Sequence, residues 1–329
     1  MRQNGSTSRR DGFVLIVVLG TVLLLSTLLF GFSLSARRKL EAADSFYRTE
    51  QARSCARAGL HIAIAAIAEA NDLYTDPRFS TLTTKDSAFA VADGSCSITI
   101  AEENGLLNVN SLKDKDGRLN RTRIDQVLRL IDLLNRRAEP AERIGYGIVP
   151  AMIDWIDADD EVTSLPFVEH DNLGAEDAHY QTCEPPYHCR NKPADIIDEL
   201  RWVKGMTPEI LNRLRDALTT MGDDKTNINA APALVLRCLS EDMAPALVEM
   251  IVSRRTRRPF QSIADLKDVP GMTDNIYQSI KDTITVEPKE RWFRVVSRGD
   301  SGDRSTRIEA TVRRNTRAQN VDIVVYREL

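Results

Sequence analysis

Carboxylates are concentrated in one stretch of the sequence, between Asp154 and Asp177. Calcium takes about six to eight oxygen ligands, and carboxylates on a loop can supply them. The stretch is not an EF-hand, because Val162 and Val168 stand where that motif requires glycine and glutamate. Composition alone equally allows a solvated acidic loop. If a metal binds, the candidate ligands are Asp157, Asp159, Glu161 and Glu176, with Asp160 and Asp177 as further candidates.

Cys183 and Cys189 flank a short loop-like segment, and a small disulfide between them is expected in an oxidising compartment. A zinc site that adds His179 or His188 is disfavoured. The two cysteines are separated by five residues, more than in the usual zinc motifs, and no second cysteine pair supports such a site. Phosphate-loop, nucleophile-elbow and H-E-x-x-H motifs are absent from the sequence, so we expect no enzymatic activity.

The N-terminal region contains an uncharged, strongly apolar run over residues 13–36. At about 1.5 Å per residue, one helix of this length crosses a hydrocarbon layer of about 30 Å. The run is longer than the apolar part of a secretory signal peptide, which has about 7–15 residues. Gly12 lies before the run and Phe13 opens it, an order that resembles leaders cut by prepilin peptidase. An uncleaved single-pass anchor is the alternative.

The same helix is expected to continue to about residue 70, because no proline interrupts it and apolar residues recur at helical spacing. Its second half is amphipathic, so the globular body must pack there. Strand patterns follow at 95–100 and 105–110 and return from Arg291, with a long helical block between them. This order predicts a β-sheet interrupted by an inserted helical domain. Two sequential domains with unrelated sheets remain the alternative.

The helical block contains an internal repeat at an offset of 66 residues, in which Gly205–Thr207 aligns with Gly271–Thr273. Each copy has the pattern helix, glycine turn, helix, and the threonine that ends each turn is placed to cap the second helix. The copies resemble helix-hairpin-helix modules. Glu209 and Asp274, however, put negative charge where a DNA phosphate would lie, and the net charge of the chain is −4. We therefore expect no nucleic-acid partner.

Taken together, these features resemble the minor pseudopilin K family of type II secretion systems. The resemblance covers nearly the whole chain, and Cys183 and Cys189 lie outside the family pattern. It depends on an ordered set of segments: Gly12-Phe13, Arg57–Leu60, Met152–Glu161, Gly174–Asp177, Pro185–Tyr187 and Asn227–Pro232.

The resemblance implies an α+β, pilin-like fold. A long N-terminal helix would pack on a small antiparallel sheet, into which a large α-helical domain with the duplicated unit is inserted. The expected divisions are a prepilin leader (1–12), a transmembrane half-helix (13–36), a first pilin-like part (37–111), the inserted domain (112–286) and C-terminal strands (287–329).

The family further implies a non-enzymatic subunit at the tip of a periplasmic pseudopilus, with calcium in the acidic region. Expected partners are minor pseudopilins I and J, the major pseudopilin, and the prepilin peptidase that would cut after Gly12 and leave an N-methylated Phe13. A single span would anchor the chain in the bacterial inner membrane, with the C-terminal domain in the periplasm. A membrane-anchored DNA-uptake or adhesion protein that uses the helical hairpins is the alternative.

The fifth mature residue is Val17, where major pilins carry a glutamate that can neutralise the N-terminal amine of the preceding subunit. A subunit that begins a fibre has no such predecessor, so a carboxylate in the membrane would be an uncompensated cost.

Overall fold

The computed structural model describes residues 8–70, 74, 76, 88–91, 93–136, 138–315 and 320–329, with backbone alone over 8–12. Residues 1–7 of the predicted leader and most of the polar stretch 71–87 lie outside the described residues. The structure confirms the pilin-like architecture with its inserted helical region.

The first element, α1, is a helix from Ser8 to Glu69. Its 62 residues make it roughly 90 Å long. The apolar part is exposed to the surroundings, as the 69 % exposure of the Phe13 side chain shows. In the second half, small and apolar residues at helical spacing are buried against a sheet: Ala52, Cys55, Ala56, Leu60, Ala63 and Ile67.

The remaining elements alternate short strands and short helices before the chain returns to long strands. The strands are β1 Ala88–Val91, β2 Gly94–Glu102, β3 Leu107–Asn108, β4 Leu218–Thr219, β5 Thr226–Asn227, β6 Ile284–Thr285, β7 Glu290–Ser301, β8 Arg304–Asn315 and β9 Val321–Glu328. The further α-helices are α2 Arg121–Asn135, α3 Ile148–Ile156, α4 Asp177–Tyr180, α5 Pro208–Leu214, α6 Ala233–Cys238, α7 Pro245–Arg257 and α8 Asp274–Ile280. Short 3-10 helices lie at Glu103–Gly105, Val109–Ser111, Pro140–Glu142, Ile197–Trp202 and Ile263–Asp268.

Five strands form one antiparallel sheet in the order β1-β2-β7-β8-β9. Strands β2 and β7 are neighbours, paired from Ser95 with Asp300 to Glu102 with Phe293, although the whole helical domain lies between them in sequence. The sheet is therefore interrupted by an insertion, and the alternative of two unrelated sheets is wrong. Helix α1 covers one face, where alternate residues of β2, β7 and β8 complete a small core.

The inserted domain begins earlier than the sequence indicates. Residues 105–110 were expected to belong to the pilin-like sheet, but Leu107 of β3 pairs in parallel with Leu218 of β4, inside the helical domain. The domain thus occupies the chain between the end of β2 and the start of β7. Asn104 fixes the junction, because its side chain donates to Glu290 O (3.0 Å) and accepts from Trp292 N (2.7 Å).

The internal repeat extends beyond the hairpins to the whole inserted domain. Asn110 Nδ2 donates to Ala194 O (3.0 Å) and Asn110 Oδ1 accepts from Ala194 N (2.8 Å). Asn229 makes the same pair of bonds with the main chain of Phe260, both at 2.9 Å. Each copy also ends in a two-residue strand with a parallel partner, β4 on β3 and β6 on β5. The first copy is longer than the second, and the acidic stretch lies in its additional residues, called the extra chain of the first copy below.

Both predicted hairpin turns are present. Gly205 and Gly271 have φ values of +79° and +91°, a region that glycine adopts without steric cost. Thr207 and Thr273 each follow a turn and accept a hydrogen bond from the backbone N–H three residues on. The threonine caps inferred from the sequence are thus confirmed.

Candidate metal centre

Three acidic side chains meet in the extra chain of the first copy. Asp154 lies in the last turn of α3 and Asp157 caps that helix, so a separation of three places both on one face. Glu176 lies at the N-cap of α4. One carboxylate oxygen from each residue lies within 4.8 Å of the others. The residues are only 0 %, 8 % and 4 % exposed, so this acidic cluster is buried.

Hydrogen bonds hold one oxygen of each aspartate and leave the others free. Asp154 Oδ1 accepts from Thr163 N at 2.9 Å, and Asp157 Oδ2 accepts from Lys113 Nζ. Asp154 Oδ2, Asp157 Oδ1 and both Glu176 oxygens are buried and have no hydrogen-bond partner among the described residues. Because buried unpaired polar atoms are costly, four such oxygens in one place form a group that a bound cation would satisfy.

The electrostatics of the acidic cluster support the same conclusion. Burial, followed by repulsion from Asp154 and Asp157, raises the pKa of Glu176 to about 8. Burial likewise raises the pKa of Asp157 to about 6 and raises that of Asp154. A divalent cation reverses this repulsion, and a donor set made only of carboxylate oxygens suits calcium. The residues present therefore fit the ion that the sequence suggested.

The other candidate ligands lie outside the acidic cluster. Asp159 is on the solvent side of the loop after α3 and accepts from Lys113 Nζ (3.1 Å) and Glu161 N (3.0 Å), while the Glu161 side chain is exposed. Asp160 accepts from Asn191 (2.8 Å), and Asp177 accepts from Cys189 N (3.0 Å). The structure brings Asp157 and Glu176 together, but not these four.

Asp154 is the member of the acidic cluster that the sequence pattern does not reveal. It lies within an apolar run, at the boundary of the acidic stretch. The signal that could have identified it is its separation of three residues from Asp157, because both sit at the end of one helix whose other residues are buried. An acidic residue on a fully buried helix requires a polar or charged partner, and Asp154 has a hydrogen bond to only one of its two oxygens.

Aromatic rings pack beside the acidic cluster. Trp155 meets Tyr180 edge-on with ring centroids 5.3 Å apart, and Tyr180 lies 5.2 Å from Tyr187. Tyr180 is completely buried. Because Trp155 directly follows Asp154 in α3, these rings place apolar surface near the acidic cluster, where charge interactions are stronger than in water.

Cys183 and Cys189 are free thiols in the structure, in place of the predicted disulfide. Cys189 Sγ points toward the main chain of α3 and lies 3.5 Å from Asp154 O. Cys183 Sγ lies 3.9 Å from His179 O, at the end of α4. The two sulfur atoms thus face different carbonyl groups, a relationship that spacing in sequence could not show.

Gly12 and Phe13 lie within α1, and cleavage between them stays a prediction. Among the described residues, α1 is the one helix long and apolar enough to cross a membrane. It fits a single-pass anchor.

Comparison with known proteins places the inserted domain and the whole chain in one family. Residues 105–223 and 226–287 match two family models, both described as type II secretion system protein K, and together they cover more than half of the chain. The limits of the two matches coincide with the two copies of the repeat.

Individual relatives agree with that assignment. Type II secretion system protein K of Aeromonas hydrophila is 24 % identical over 98 % of both chains, and that of Pectobacterium carotovorum is 28 % identical over 65 % of both. One chain of the crystal structure of the GspK-GspI-GspJ complex from enterotoxigenic Escherichia coli shares the fold, with a TM-score of 0.62 and 19 % identity. That match covers 89 % of this chain and 99 % of the other. The alternative of a DNA-uptake or adhesion protein is not supported by these matches. The chain belongs to the type II secretion system protein K family and is a minor pseudopilin.

Proposed function

We propose that the chain forms the non-catalytic tip of a periplasmic pseudopilus together with minor pseudopilins I and J. The observation that carries this proposal is its similarity, over nearly its whole length, to a chain of the solved complex that contains all three. In that arrangement α1 anchors the subunit in the inner membrane before assembly, and the globular part lies in the periplasm. The major pseudopilin would follow beneath the tip.

The position of the inserted domain supports a place at the tip. Gly302, in the β7–β8 turn, lies beside Arg48 of α1, whereas Arg314 at the end of β8 donates to Ala70 O (2.7 Å). About 33 Å of helix α1 separate Arg48 from Ala70. The inserted domain leaves the sheet at Glu102, near the end that is farther from the membrane. A bulky domain at that end obstructs any subunit that would stack above it.

The membrane half of α1 supports the same position. Val17 puts an apolar side chain, 48 % exposed, at the fifth residue of the proposed mature chain. An uncharged residue is favourable in lipid, and a first subunit has no preceding amine for a carboxylate to neutralise. Processing by prepilin peptidase after Gly12, with methylation of Phe13, belongs to this proposal.

We further propose that the acidic cluster binds calcium through Asp154, Asp157 and Glu176. The ion supplies the positive charge that four free, buried carboxylate oxygens require. Its role is structural, because it ties the end of α3 to the start of α4 in the long first copy.

The assembly proposal is tested by purification of complexes. The full chain would be co-expressed with pseudopilins I and J of the same bacterium and purified in detergent through a tag on the chain. We expect I and J to be recovered together with it. Failure to recover either one, from membranes that contain all three, would contradict the proposal. Salt-dependent binding of DNA by the purified chain would instead favour the DNA-uptake alternative.

A further inference from the structure

One ammonium group lies against the acidic cluster. Lys113 Nζ donates to Asp157 Oδ2 and to Asp159 Oδ2, the latter at 3.1 Å. The Lys113 side chain is only 17 % exposed and that of Asp157 only 4 %. Within the described part of the chain, Lys113 is the one cationic side chain that forms a salt bridge with Asp154, Asp157 or Glu176. It therefore supplies the positive charge nearest to the acidic cluster.

The second copy of the repeat shows what the unit does without this lysine. Asn108–Lys113 corresponds to Asn227–Pro232, since Asn110 and Asn229 make the same bonds in the two copies. Pro232 thus stands at the position of Lys113 and precedes α6. The second copy also lacks the extra chain that carries the carboxylates. The repeated unit therefore does not need a cation at this position in order to fold. The lysine is present in the copy that contains the acidic cluster and absent from the copy that lacks it.

We propose that Lys113 is a resident counter-cation of the acidic cluster, which stabilises it when no metal is bound and weakens the binding of calcium. The inference rests on the proposed calcium site. One ammonium group neutralises only part of the charge of three carboxylates, and four carboxylate oxygens stay free. A calcium ion on those oxygens lies close to the ammonium group, and the two cations repel one another in a poorly screened environment.

The hydrogen bond to Asp157 acts in the same direction. Lys113 donates to Asp157 Oδ2 and leaves Oδ1 without a partner, so this hydrogen bond competes with a metal for Oδ2 and disfavours binding of an ion by both oxygens. Removal of the lysine would free the second oxygen. Lys113 thus determines how much of the stability of the inserted domain depends on calcium.

The test uses the full chain in detergent, with Lys113→Met as the main variant, because methionine keeps an apolar stem and loses the charge. Lys113→Arg keeps the charge, and Lys115→Met is the matched control, since Lys115 is exposed. Two quantities are measured: the melting temperature in excess chelator, and the calcium dissociation constant by titration calorimetry. For Lys113→Met we expect a lower melting temperature in chelator and a dissociation constant at least about tenfold smaller than in wild type. The arginine variant and the control should both resemble wild type.

Three results would overturn the inference. They are an unchanged melting temperature of Lys113→Met in chelator, an unchanged calcium affinity, and a weaker calcium affinity, which would make Lys113 a support for Asp157. If no variant binds calcium, the calcium site and the affinity role fail together, and the melting temperature in chelator still decides whether Lys113 stabilises the ion-free cluster. If Lys113→Met does not fold, Lys113→Gln, which loses the charge but keeps a donor for Asp157, should also bind calcium more tightly than wild type, by a smaller factor.

Discussion

Gly174 lies so close to Asp154 that a Cβ atom at position 174 would be 2.1 Å from Asp154 Oδ2. The same atom would be 2.8 Å from Pro150 O, a main-chain atom of α3 that cannot move aside. Gly174 is therefore required for close approach, and it fixes the position of one of the free carboxylate oxygens.

We predict that Gly174→Ala displaces the Asp154 carboxylate, weakens calcium binding at least tenfold and destabilises the fold by about 1–3 kcal/mol. Calorimetric titration and urea unfolding measure the two effects. Gly145→Ala is the control, because its Cβ would meet only Asp171 Oδ2, at 3.5 Å. Wild-type calcium affinity in Gly174→Ala would show that Asp154 is not a ligand.

The neutral variants Asp154→Asn and Glu176→Gln should lose the rise in melting temperature that calcium causes in the wild type, since an ion that binds only the folded state stabilises it. In chelator above about pH 8, where Glu176 is ionised, the same variants should melt higher than wild type, because each removes a buried charge that repels its neighbours. Asp159→Asn and Asp160→Asn should keep the calcium response, since neither side chain reaches the acidic cluster. Thermal unfolding with calcium and with chelator distinguishes the ligands. Loss of the response in Asp159→Asn alone would contradict the assignment.

Protein isolated from membranes should begin at Phe13 with a methylated amine. The glycine before the apolar run motivates this expectation, and mass spectrometry of the N-terminal peptide measures it. A Gly12→Lys variant should keep the leader and accumulate as the longer form. An intact Met1 on the wild-type protein, or cleavage near Ala36, would contradict the prediction.

Val17→Glu should reduce secretion or leave it unchanged, because the carboxylate would lie in lipid without a partner. A strain with Val17→Leu, which keeps the apolar character, should export as much protein as the wild-type strain. The measurement is the amount of exported protein in a strain that carries each variant as its only copy. More secretion with glutamate than with valine would be inconsistent with a subunit that starts the fibre.

Asn229→Ala should destabilise the inserted domain by about 2 kcal/mol or more, because it leaves the buried N–H and C=O groups of Phe260 unpaired. Asn110→Ala should have a comparable effect through Ala194. The exposed Asn320→Ala serves as the control and should change stability little. Urea unfolding measures all three. A negligible effect of Asn229→Ala on the free energy of unfolding would show that the two hydrogen bonds found in both copies do not stabilise the repeated unit.

The features that could be predicted from the sequence are those with a local cause. The continuous helix α1 follows from helical periodicity without proline, and the capped turns follow from Gly205 and Gly271 with their threonines. The start of the inserted domain could not be predicted, because the pairing of Leu107 with Leu218 joins distant segments.

The ligand set was only partly predictable for a similar reason. Alternation of Asp157, Asp159 and Glu161 suggested a common site, but the chain leaves the helix after Ile156 and turns the later side chains toward solvent. Glu176 enters the site only because α4 folds back against α3. The Asp177 carboxylate instead accepts a hydrogen bond from Cys189 N, which no pattern in the sequence indicates.

Because Glu102 pairs with Phe293, the inserted domain takes the place of the turn that would otherwise connect the hairpin of β2 and β7. The two ends of the inserted domain are held on neighbouring strands, so the sheet is the same whether a few residues or a whole domain connect them. The entropy of closing such a connection grows only with the logarithm of its length. A short turn in place of the domain would leave an ordinary pilin scaffold, and a different domain could be transplanted to the same site. In evolutionary terms, the pilin-like scaffold and the inserted domain are separable modules joined at one permissive position.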